Sequence, residues 1–178
     1  MEKLKPKERI MNVAIELFHR QGYNSTGVNQ IIKESKVAKA SFYDHFESKE
    51  KLAVEYLKRR HLVWFGGLTE FTCKAKNFRE IILKSFEYLK YMNKKEDFSG
   101  CVFLNMLSEL KSENKEIYEI IKSHKLDLQQ FFSKNIADNM KAFQIYMLFE
   151  ACLITSQVYR NQNQVDKTID FLKSEILS

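Results

Sequence analysis

Side chains that can donate hydrogen bonds to phosphate oxygens recur at short spacing in the first third of this 178-residue chain. They are Lys39, Ser41, Tyr43, His45 and Lys49. Ammonium, hydroxyl and imidazole donors of this kind fix the register of a protein on a polyanion, whereas the base edges carry the sequence information. The segment therefore predicts nucleic-acid binding, with Thr26 as a further phosphate donor and Asn29 and Gln30 as additional candidates.

Three short helices are predicted to position these donors. The first begins at Pro6, whose missing N–H is harmless in a first turn, and ends at Gly22 as a left-handed cap. Apolar residues at helical spacing predict a second helix, for which Ser25 or Thr26 supplies the N-cap oxygen. This second helix should end near Ser35.

The third helix is predicted from Lys39 to Phe46, after a turn at residues 36–38. Phe42 and Phe46 are four residues apart and should face inward together. Ser48 is predicted to cap a fourth helix that follows at once. Two helices joined by a tight turn, with the second one exposed, are typical of a helix-turn-helix.

The first turn of the third helix is the part predicted to meet base edges. Lys39 and Ser41 supply donors there, and the small Ala40 lets the backbone approach the DNA. Tyr43 and His45 follow as phosphate donors. Taken alone, the tyrosine is more often a half-buried packing residue and the histidine more often an ordinary surface residue, and only their combination favours DNA.

The positive charge is concentrated around this segment. Residues 1–60 carry 13 Lys and Arg against 8 Asp and Glu, whereas residues 61–178 carry 16 against 15. Most of the net charge of +6 therefore belongs to the first third of the chain. A basic region of this kind is expected for a polyanion partner, although a solvated basic surface gives the same count.

Composition favours a cytoplasmic all-α protein. The chain has one Pro and five Gly, too few for the turns of a sheet protein, and no apolar run reaches the ~18 residues of a membrane helix. Its three cysteines, Cys73, Cys101 and Cys152, are far apart, which argues against a disulfide framework or a zinc site. No nucleophile–base pair or phosphate-binding glycine loop stands out, so neither an enzyme nor a cofactor is predicted.

About nine helices in two groups are expected. The fourth should reach Lys74 and contains Gly66-Gly67, a pair that marks a bend or a close contact. Later helices are predicted over residues 78–93, 100–111, 114–139, 141–162 and 166–177. The predicted domains are a helix-turn-helix domain at 1–48 and a helical ligand-binding and dimerisation domain at 49–178.

The segment from Gly22 to Glu50 resembles the DNA-binding domain of TetR-family transcriptional regulators. The resemblance rests on Gly22-Tyr23, Thr26 and Ile31, and on the run VAKASFYDHFESKE that ends at Glu50. It implies a homodimeric repressor that leaves its DNA operator when a small molecule binds. It also implies that Tyr43 and His45 donate to phosphates, as those positions do in the family.

One position departs from the family pattern. Lys36 stands in the turn where the family commonly has glycine. If this backbone is left-handed, a lysine there costs about 1–2 kcal/mol of local strain. Two interpretations follow. Either the turn differs slightly from that of the family, or the strain at Lys36 is tolerated because the lysine makes an extra phosphate contact.

The later part of the chain is rich in aromatic residues, with 11 of the 14 Phe after residue 60. Such side chains can line apolar ligand pockets, although more often they form only the core. The pocket candidates are Trp64, Phe65, Phe86, Phe103, Met106, Phe149 and Tyr159. His124 is expected at the surface.

A second resemblance concerns Cys101. The stretch FSGCVFLNMLSEL is similar to a Gly-Cys segment that opens the sixth helix in one branch of TetR-like regulators, some of which sense electrophiles or oxidants. A helix N-terminus stabilises a thiolate, and Lys94 and Lys95 are expected nearby. The alternative is a small buried hydrophobe, which is also the role expected for Cys152.

The last two long helices are predicted to form the dimer. Two helices from each chain could pack as a four-helix interface. The expected surfaces are Ala142, Ile145, Tyr146, Leu148, Phe149, Cys152, Leu153 and Thr155 on one helix, and Ile169, Leu172 and Ile176 on the other. Such a dimer presents its recognition helices to successive major grooves, so a near-palindromic operator is expected.

The sequence thus predicts a DNA-binding transcriptional regulator whose partners are double-stranded operator DNA, a small apolar or aromatic ligand or electrophile, and a second copy of the chain. A thiol sensor acting through Cys101 on the same scaffold is the alternative. The rival from another class is a protein of this fold that binds only protein or small-molecule partners. The salt dependence of DNA binding separates this rival from a regulator.

Overall fold

The structure is a computed structural model that describes residues 4–110 and 114–176. Within these ranges there are nine α-helices, a short π-helical turn and no strand, so the predicted all-α fold is confirmed. The elements are α1 Pro6–Gln21, α2 Val28–Ser35, α3 Lys39–His45, α4 Lys49–Thr72, α5 Phe78–Lys95, α6 Val102–Glu109, α7 Lys115–Asn135, α8 Asn139–Tyr159, α9 Asn163–Phe171 and the turn Leu172–Ile176. The predicted helix ends at Lys111 and Leu177 lie outside the described residues.

The first of two compact units contains the described residues within Met1–His61 and Val102–Lys122. In it α1 packs against α2 and α3. The apolar stripe of α1 is buried, as its i, i+3, i+4 spacing predicts. Fully buried side chains include Ile10, Ala14, Leu17, Ile31 and Phe42. The predicted domain boundary after residue 48 stays a prediction.

The second unit contains the described residues within Leu62–Cys101 and Ser123–Ser178. Here α5, α8 and α9 pack on one another around a core that includes Leu68, Phe86, Leu128, Phe132, Phe149 and Val165. The Phe149 ring lies 5.2 Å from that of Phe86 and 5.4 Å from that of Phe132, measured between centroids. The edge-on contact with Phe86 and the tilted contact with Phe132 are favourable arrangements for aromatic rings at these distances.

Gly67 marks a close contact within the second unit, one of the two interpretations offered for the glycine pair. A Cβ atom at this position would lie 2.5 Å from the Tyr88 hydroxyl oxygen. That hydroxyl donates to the Trp64 carbonyl oxygen over 2.9 Å. The glycine therefore makes room for the tyrosine that bonds to the backbone of α4.

The break between α7 and α8 comes earlier than predicted. The Asp138 carboxylate accepts hydrogen bonds from the main-chain N–H groups of Met140 and Lys141, over 2.9 and 3.0 Å. An aspartate at an N-cap satisfies donors that a helix start leaves free. It therefore fixes the beginning of α8 at Asn139, two residues before the predicted start at Lys141.

The prediction that His124 is a surface residue is wrong, because its side chain is only 3% exposed. The imidazole centroid lies 5.6 Å from that of Trp64 and 5.5 Å from that of Phe65. Ile121 and Leu128, at helical spacing on either side, are buried as well. His124 thus belongs to the buried face of α7.

Helix α8 is apolar on more than one face. Most of the residues expected at a dimer interface are instead buried within the chain: Ala142, Ile145, Phe149, Cys152, Leu153, Ile169 and Leu172. A second set of apolar side chains on α8 is exposed: Met140, Phe143, Met147, Ile154 and Val158. Their spacing of three, four or seven residues places them along one stripe, hereafter the α8 stripe.

None of the helices in the described part of the chain combines the length and the apolar composition that would let it cross a membrane.

Candidate nucleic-acid interface

Helix α3 is held by one buried side chain and exposes most of the others. Phe42 is fully buried, whereas Lys39, Ala40, Tyr43 and His45 are exposed. The Tyr43 ring stands edge-on to the Phe42 ring at 5.3 Å and is 46% exposed. The tyrosine therefore packs at its base while its outer part faces solvent, which is the arrangement a phosphate donor requires.

The remaining predicted contact on α3 is Ser41, which is partly buried, and Lys36 is exposed in the turn before the helix. The structure thus brings five exposed predicted residues together on one short stretch of chain. They are Lys36, Lys39, Ala40, Tyr43 and His45. Their contacts with DNA stay predictions.

The turn before α3 is left-handed, as expected if Lys36 replaces a glycine. Lys36 has φ 53° and ψ 43°, and its N–H bonds to carbonyl oxygens at the end of α2. The Arg9 guanidinium of α1 donates from Nη1 to the carbonyl oxygens of Ser35 and Lys36, over 3.0 and 2.9 Å. Because the last carbonyls of a helix have no partner within it, Arg9 caps α2 from outside.

The predicted N-cap of α2 is wrong. Gly27 occupies this position, and no side chain caps the helix. Thr26 is fully buried and its hydroxyl donates to the Gly22 carbonyl oxygen over 2.7 Å. Its burial does not support the predicted phosphate contact, because the hydroxyl closes the loop between α1 and α2 instead.

Lys49 lies at the first position of α4, as predicted, but its ammonium group points into the protein. Nζ donates to the carbonyl oxygens of Tyr23 and Thr26, over 3.1 Å in each case. It also lies 4.0 Å from the centroid of the Tyr23 ring. Burial lowers the pKa of Lys49, and the carboxylates of Glu50 and Glu109 oppose that shift.

Glu50 supports the same corner. The Ser48 hydroxyl, followed by the main-chain N–H of Glu50, lowers the pKa of this carboxyl group. The Tyr23 hydroxyl also bonds to Glu50, and burial is the main cause that raises the tyrosine pKa. Ser48 Oγ accepts from the Lys51 N–H over 3.2 Å, so the predicted cap of α4 is confirmed.

Sequence reasoning missed Arg9, Asn24 and Glu109. The Asn24 main-chain N–H donates to Glu109 Oε2 over 2.6 Å, and the Asn24 amide donates to the Glu109 carbonyl oxygen over 2.7 Å. These partners are 85 residues apart, so no local pattern could reveal them.

The two additional candidates for DNA contact differ in their surroundings. Gln30 bonds to Gln21 and Glu34, and Asn29 is exposed.

The predicted ligand-pocket residues differ in their surroundings. Trp64, Phe86 and Phe149 are core residues of the second unit, and Phe65 packs against that core. Phe103 and Met106 are buried residues of α6 in the first unit, whereas Tyr159 is 57% exposed. A pocket lined by this set stays a prediction.

A cavity of about 370 Å³ lies elsewhere in the second unit. Its lining consists of Phe78, Asn135, Ile136, Ala137, Asp138, Lys141, Ile145 and Ile176. None of the seven predicted pocket residues is among them. The lining holds two charged groups, the Asp138 carboxylate, which accepts from N–H groups of α8, and the ammonium of the exposed Lys141.

Cys101 is partly buried and directly precedes α6. Lys125 interacts electrostatically with Cys101, and the proximity of Lys94 and Lys95 stays a prediction. Lys125 also bonds to both carboxylate oxygens of Glu150, over 2.9 and 2.7 Å. Cys152 is buried, and burial raises the pKa of its thiol.

Residues 10–56 match the sequence model of the family described as bacterial regulatory proteins, tetR family. An uncharacterized HTH-type transcriptional regulator of Lactococcus lactis is 23% identical over 182 residues, which cover 94% of this chain and 91% of that protein. The HTH-type transcriptional regulator QacR of Staphylococcus aureus is 38% identical over 74 residues, 42% of this chain and 39% of QacR. The crystal structure of a TetR-family transcriptional regulator from Streptomyces coelicolor has a similar fold, with a TM-score of 0.84, 18% identity and coverage of 92% of this chain and 84% of that one.

Proposed function

We propose that this chain is a sequence-specific DNA-binding transcriptional regulator of the TetR family and that it acts as a repressor. The observation that carries the proposal is α3, which exposes Lys39, Ala40, Tyr43 and His45 beside a buried Phe42. A short helix that buries one side and exposes donors on the other suits the major groove. The cytoplasmic location stays a prediction.

Selection of bound DNA from a random library tests the proposal. We expect enrichment of one near-palindromic site, because a two-fold dimer reads two half-sites. A protein of the rival class, which binds only proteins or small molecules, would enrich no sequence. Binding that is equal for the enriched site and for scrambled DNA of the same length would contradict sequence-specific recognition.

We propose that the dimer forms through the α8 stripe. Five large apolar residues on this stripe are exposed in the single chain, with Val158 at 67% and Met140 at 64%. Contiguous exposed apolar surface of this kind marks an interaction site. A second copy of the same helix meets it in a self-complementary way, as two-fold symmetry requires.

Sedimentation equilibrium tests this interface. Ile154→Lys should shift the protein from dimer to monomer and weaken operator binding, because a charge would be buried within the stripe. The control is Leu126→Lys, on α7, where the side chain is similarly exposed. A dimer that survives Ile154→Lys and dissociates with the control would place the interface elsewhere.

We propose the cavity lined by Ile136, Ile145 and Lys141 as the ligand site, with a ligand that combines an apolar body and an anionic group. Its volume lies within the range of small-molecule sites, roughly 300–1,000 Å³. The apolar lining suits a hydrocarbon or aromatic body, and the Lys141 ammonium suits a carboxylate. Such a ligand would be the inducer that releases the operator.

Calorimetry with decanoate and decanol tests this assignment. Decanoate should bind more tightly than the neutral alcohol, and Lys141→Met should remove the difference. Lys134→Met, an exposed lysine on the neighbouring α7, serves as the control. Equal binding of the two probes by the wild-type protein would contradict an anionic ligand.

A thiol sensor is the second candidate, because the Lys125 ammonium interacts with the sulfur of Cys101. The thiolate is the form of a cysteine that reacts with electrophiles. With an α,β-unsaturated carbonyl, the sulfur would bond to the β-carbon, and a proton from water would end on the α-carbon. Operator release by such an electrophile should be lost in Cys101→Ser, and equal release by both proteins would end this hypothesis.

A further inference from the structure

The carboxylate of Glu109, the last residue of α6, lies against the loop that joins α1 to α2. Glu109 Oε2 accepts a hydrogen bond from the Asn24 main-chain N–H over 2.6 Å. The Glu109 carbonyl oxygen accepts a second bond, from the Asn24 side-chain amide, over 2.7 Å. Two bonds between the same residues, one to the main chain and one to the side chain, fix both the position and the orientation of the loop.

Gly22 makes this approach possible. A Cβ atom on Gly22 would lie 2.6 Å from Glu109 Oε1, well inside van der Waals contact. The backbone of Gly22 also has φ 85° and ψ 168°, a conformation that is essentially restricted to glycine. The shape of the loop and the place of the carboxylate therefore depend on the same residue.

The loop is held from a second direction by Lys49. Its ammonium bonds to the carbonyl oxygens of Tyr23 and Thr26, and the Glu109 carboxylate favours its charged form. The carbonyls of the loop are thus bound by α4, while one of its N–H groups is bound by α6. The loop ends at Gly27, where α2 begins, so these bonds set the point from which α2 and then α3 start.

These bonds lie at the edge of an open polar cleft of about 630 Å³, whose lining includes Tyr23, Asn24, Lys49 and Glu109. Hydrogen bonds that border water can be exchanged for bonds to water at modest net cost. The contact between α6 and the loop can therefore open without exposing the apolar core. A contact of this kind is suited to controlling position.

We propose that Glu109 is a positioning residue for DNA binding, which holds the α1–α2 loop so that α2 and α3 present their exposed donors in the arrangement that fits the operator. The inference rests on the proposed function as a DNA-binding regulator. It adds that operator affinity depends on a residue of α6, far along the chain from the recognition helix.

The test is a double-mutant cycle in the full-length protein, with operator affinity as the readout. Glu109→Ala should weaken binding about five- to tenfold. Adding Asn24→Ala should weaken it little further, because residues that share one contact have non-additive effects. Glu109→Gln keeps an oxygen that can accept from the Asn24 N–H and should restore most of the affinity.

Glu116→Ala is the matched control. Glu116 is also a carboxylate of the first unit, and it pairs with Lys51 of α4 over 2.7 Å. Its removal changes the net charge equally and should leave operator affinity within about twofold. Equal losses of operator affinity in the Glu109 and Glu116 variants would show that the effect comes from the change in net charge, and would overturn the proposal.

Hydrogen exchange at the Asn24 amide gives a readout that needs no DNA. In Glu109→Ala this amide should exchange at least tenfold faster, while amides in the middle of α1 keep their rates. Unchanged exchange at Asn24, or full operator affinity in the folded Glu109→Ala protein, overturns the positioning role. If the wild-type protein itself binds no DNA, the proposed function fails, and the exchange rate still decides whether Glu109 holds the loop.

Discussion

Arg9 Nη1 of α1 donates to the Lys36 carbonyl oxygen over 2.9 Å, and the same nitrogen donates to the Ser35 carbonyl oxygen over 3.0 Å. The arginine thereby joins the first helix to the turn that precedes α3. Two carbonyl groups that α2 cannot satisfy internally receive a charged donor. The turn before the recognition helix is therefore fixed by a tertiary contact as well as by its own backbone.

Replacing this arginine should destabilise the protein. Arg9→Met keeps an apolar stem but removes both hydrogen bonds, and we expect a loss of about 1.5–3 kcal/mol in the free energy of unfolding. Arg59→Met is the control, since Arg59 pairs with Glu8 and both side chains are more than 40% exposed. Urea titration should show a loss below about 1 kcal/mol for the control. Equal losses would show that Arg9 does not cap α2.

Replacing Lys36 with glycine should have opposite effects on stability and on DNA binding. Glycine adopts a left-handed backbone, here with φ 53°, without the strain of a side chain. We therefore expect the free energy of unfolding, measured by thermal unfolding, to rise by about 1 kcal/mol. Loss of the exposed ammonium should weaken operator binding at low salt. Lys36→Gln separates the two, because it removes the charge and keeps the strain. Unchanged affinity in both variants would remove the phosphate contact.

Glu50→Gln should lower the melting temperature at neutral pH and have less effect in acid. The Ser48 hydroxyl and the main-chain N–H hold the pKa of Glu50 below its ordinary value of about 4.3. A carboxylate of this kind contributes stability above its unfolded-state pKa, and the contribution is lost as the pH falls through the folded-state value. The two melting curves should therefore converge below about pH 4. A difference that stays constant from pH 7 to pH 3 would exclude ionisation as the cause.

The Lys125–Glu150 pair should be costly to break from one side. The two side chains are only 16% and 13% exposed and lie 2.7 Å apart. Lys125→Met leaves the carboxylate of Glu150 without this lysine, so we expect the free energy of unfolding to fall by about 3 kcal/mol. The double variant Lys125→Met/Glu150→Leu should recover much of that loss in chemical unfolding. Additive losses in the double variant would argue against direct coupling.

Local sequence signals located most of the helix-turn-helix. Pro6, Gly22 and Ser48 mark helix ends through backbone geometry or a single hydrogen bond, and each acts on its own neighbours. The left-handed backbone at Lys36 is likewise one of the two alternatives that the short pattern around this residue allows. Signals of this kind are readable because they involve only a few consecutive residues.

Other features depend on residues that are far apart or on a choice between two apolar faces. No sequence pattern around Asn24 or around Glu109 indicates that these two residues form hydrogen bonds with each other. Helix α8 carries apolar residues around most of its circumference, so the pattern could not tell the buried Ile145 from the exposed Ile154. His124 could have been placed by its register with Ile121 and Leu128, but its polar side chain suggested the surface instead.

The affinity for the selected DNA site as a function of salt, in the wild type and in Lys39→Ala, tests the central claim most directly. For the wild type, the logarithm of the binding constant should fall as the logarithm of the salt concentration rises, with a slope of about −0.9 per phosphate contacted. Lys39→Ala should bind more weakly and have a slope shallower by about 1, the value for one lost phosphate contact. A wild-type affinity that does not change with salt, or one no greater than that for random DNA, would contradict the account.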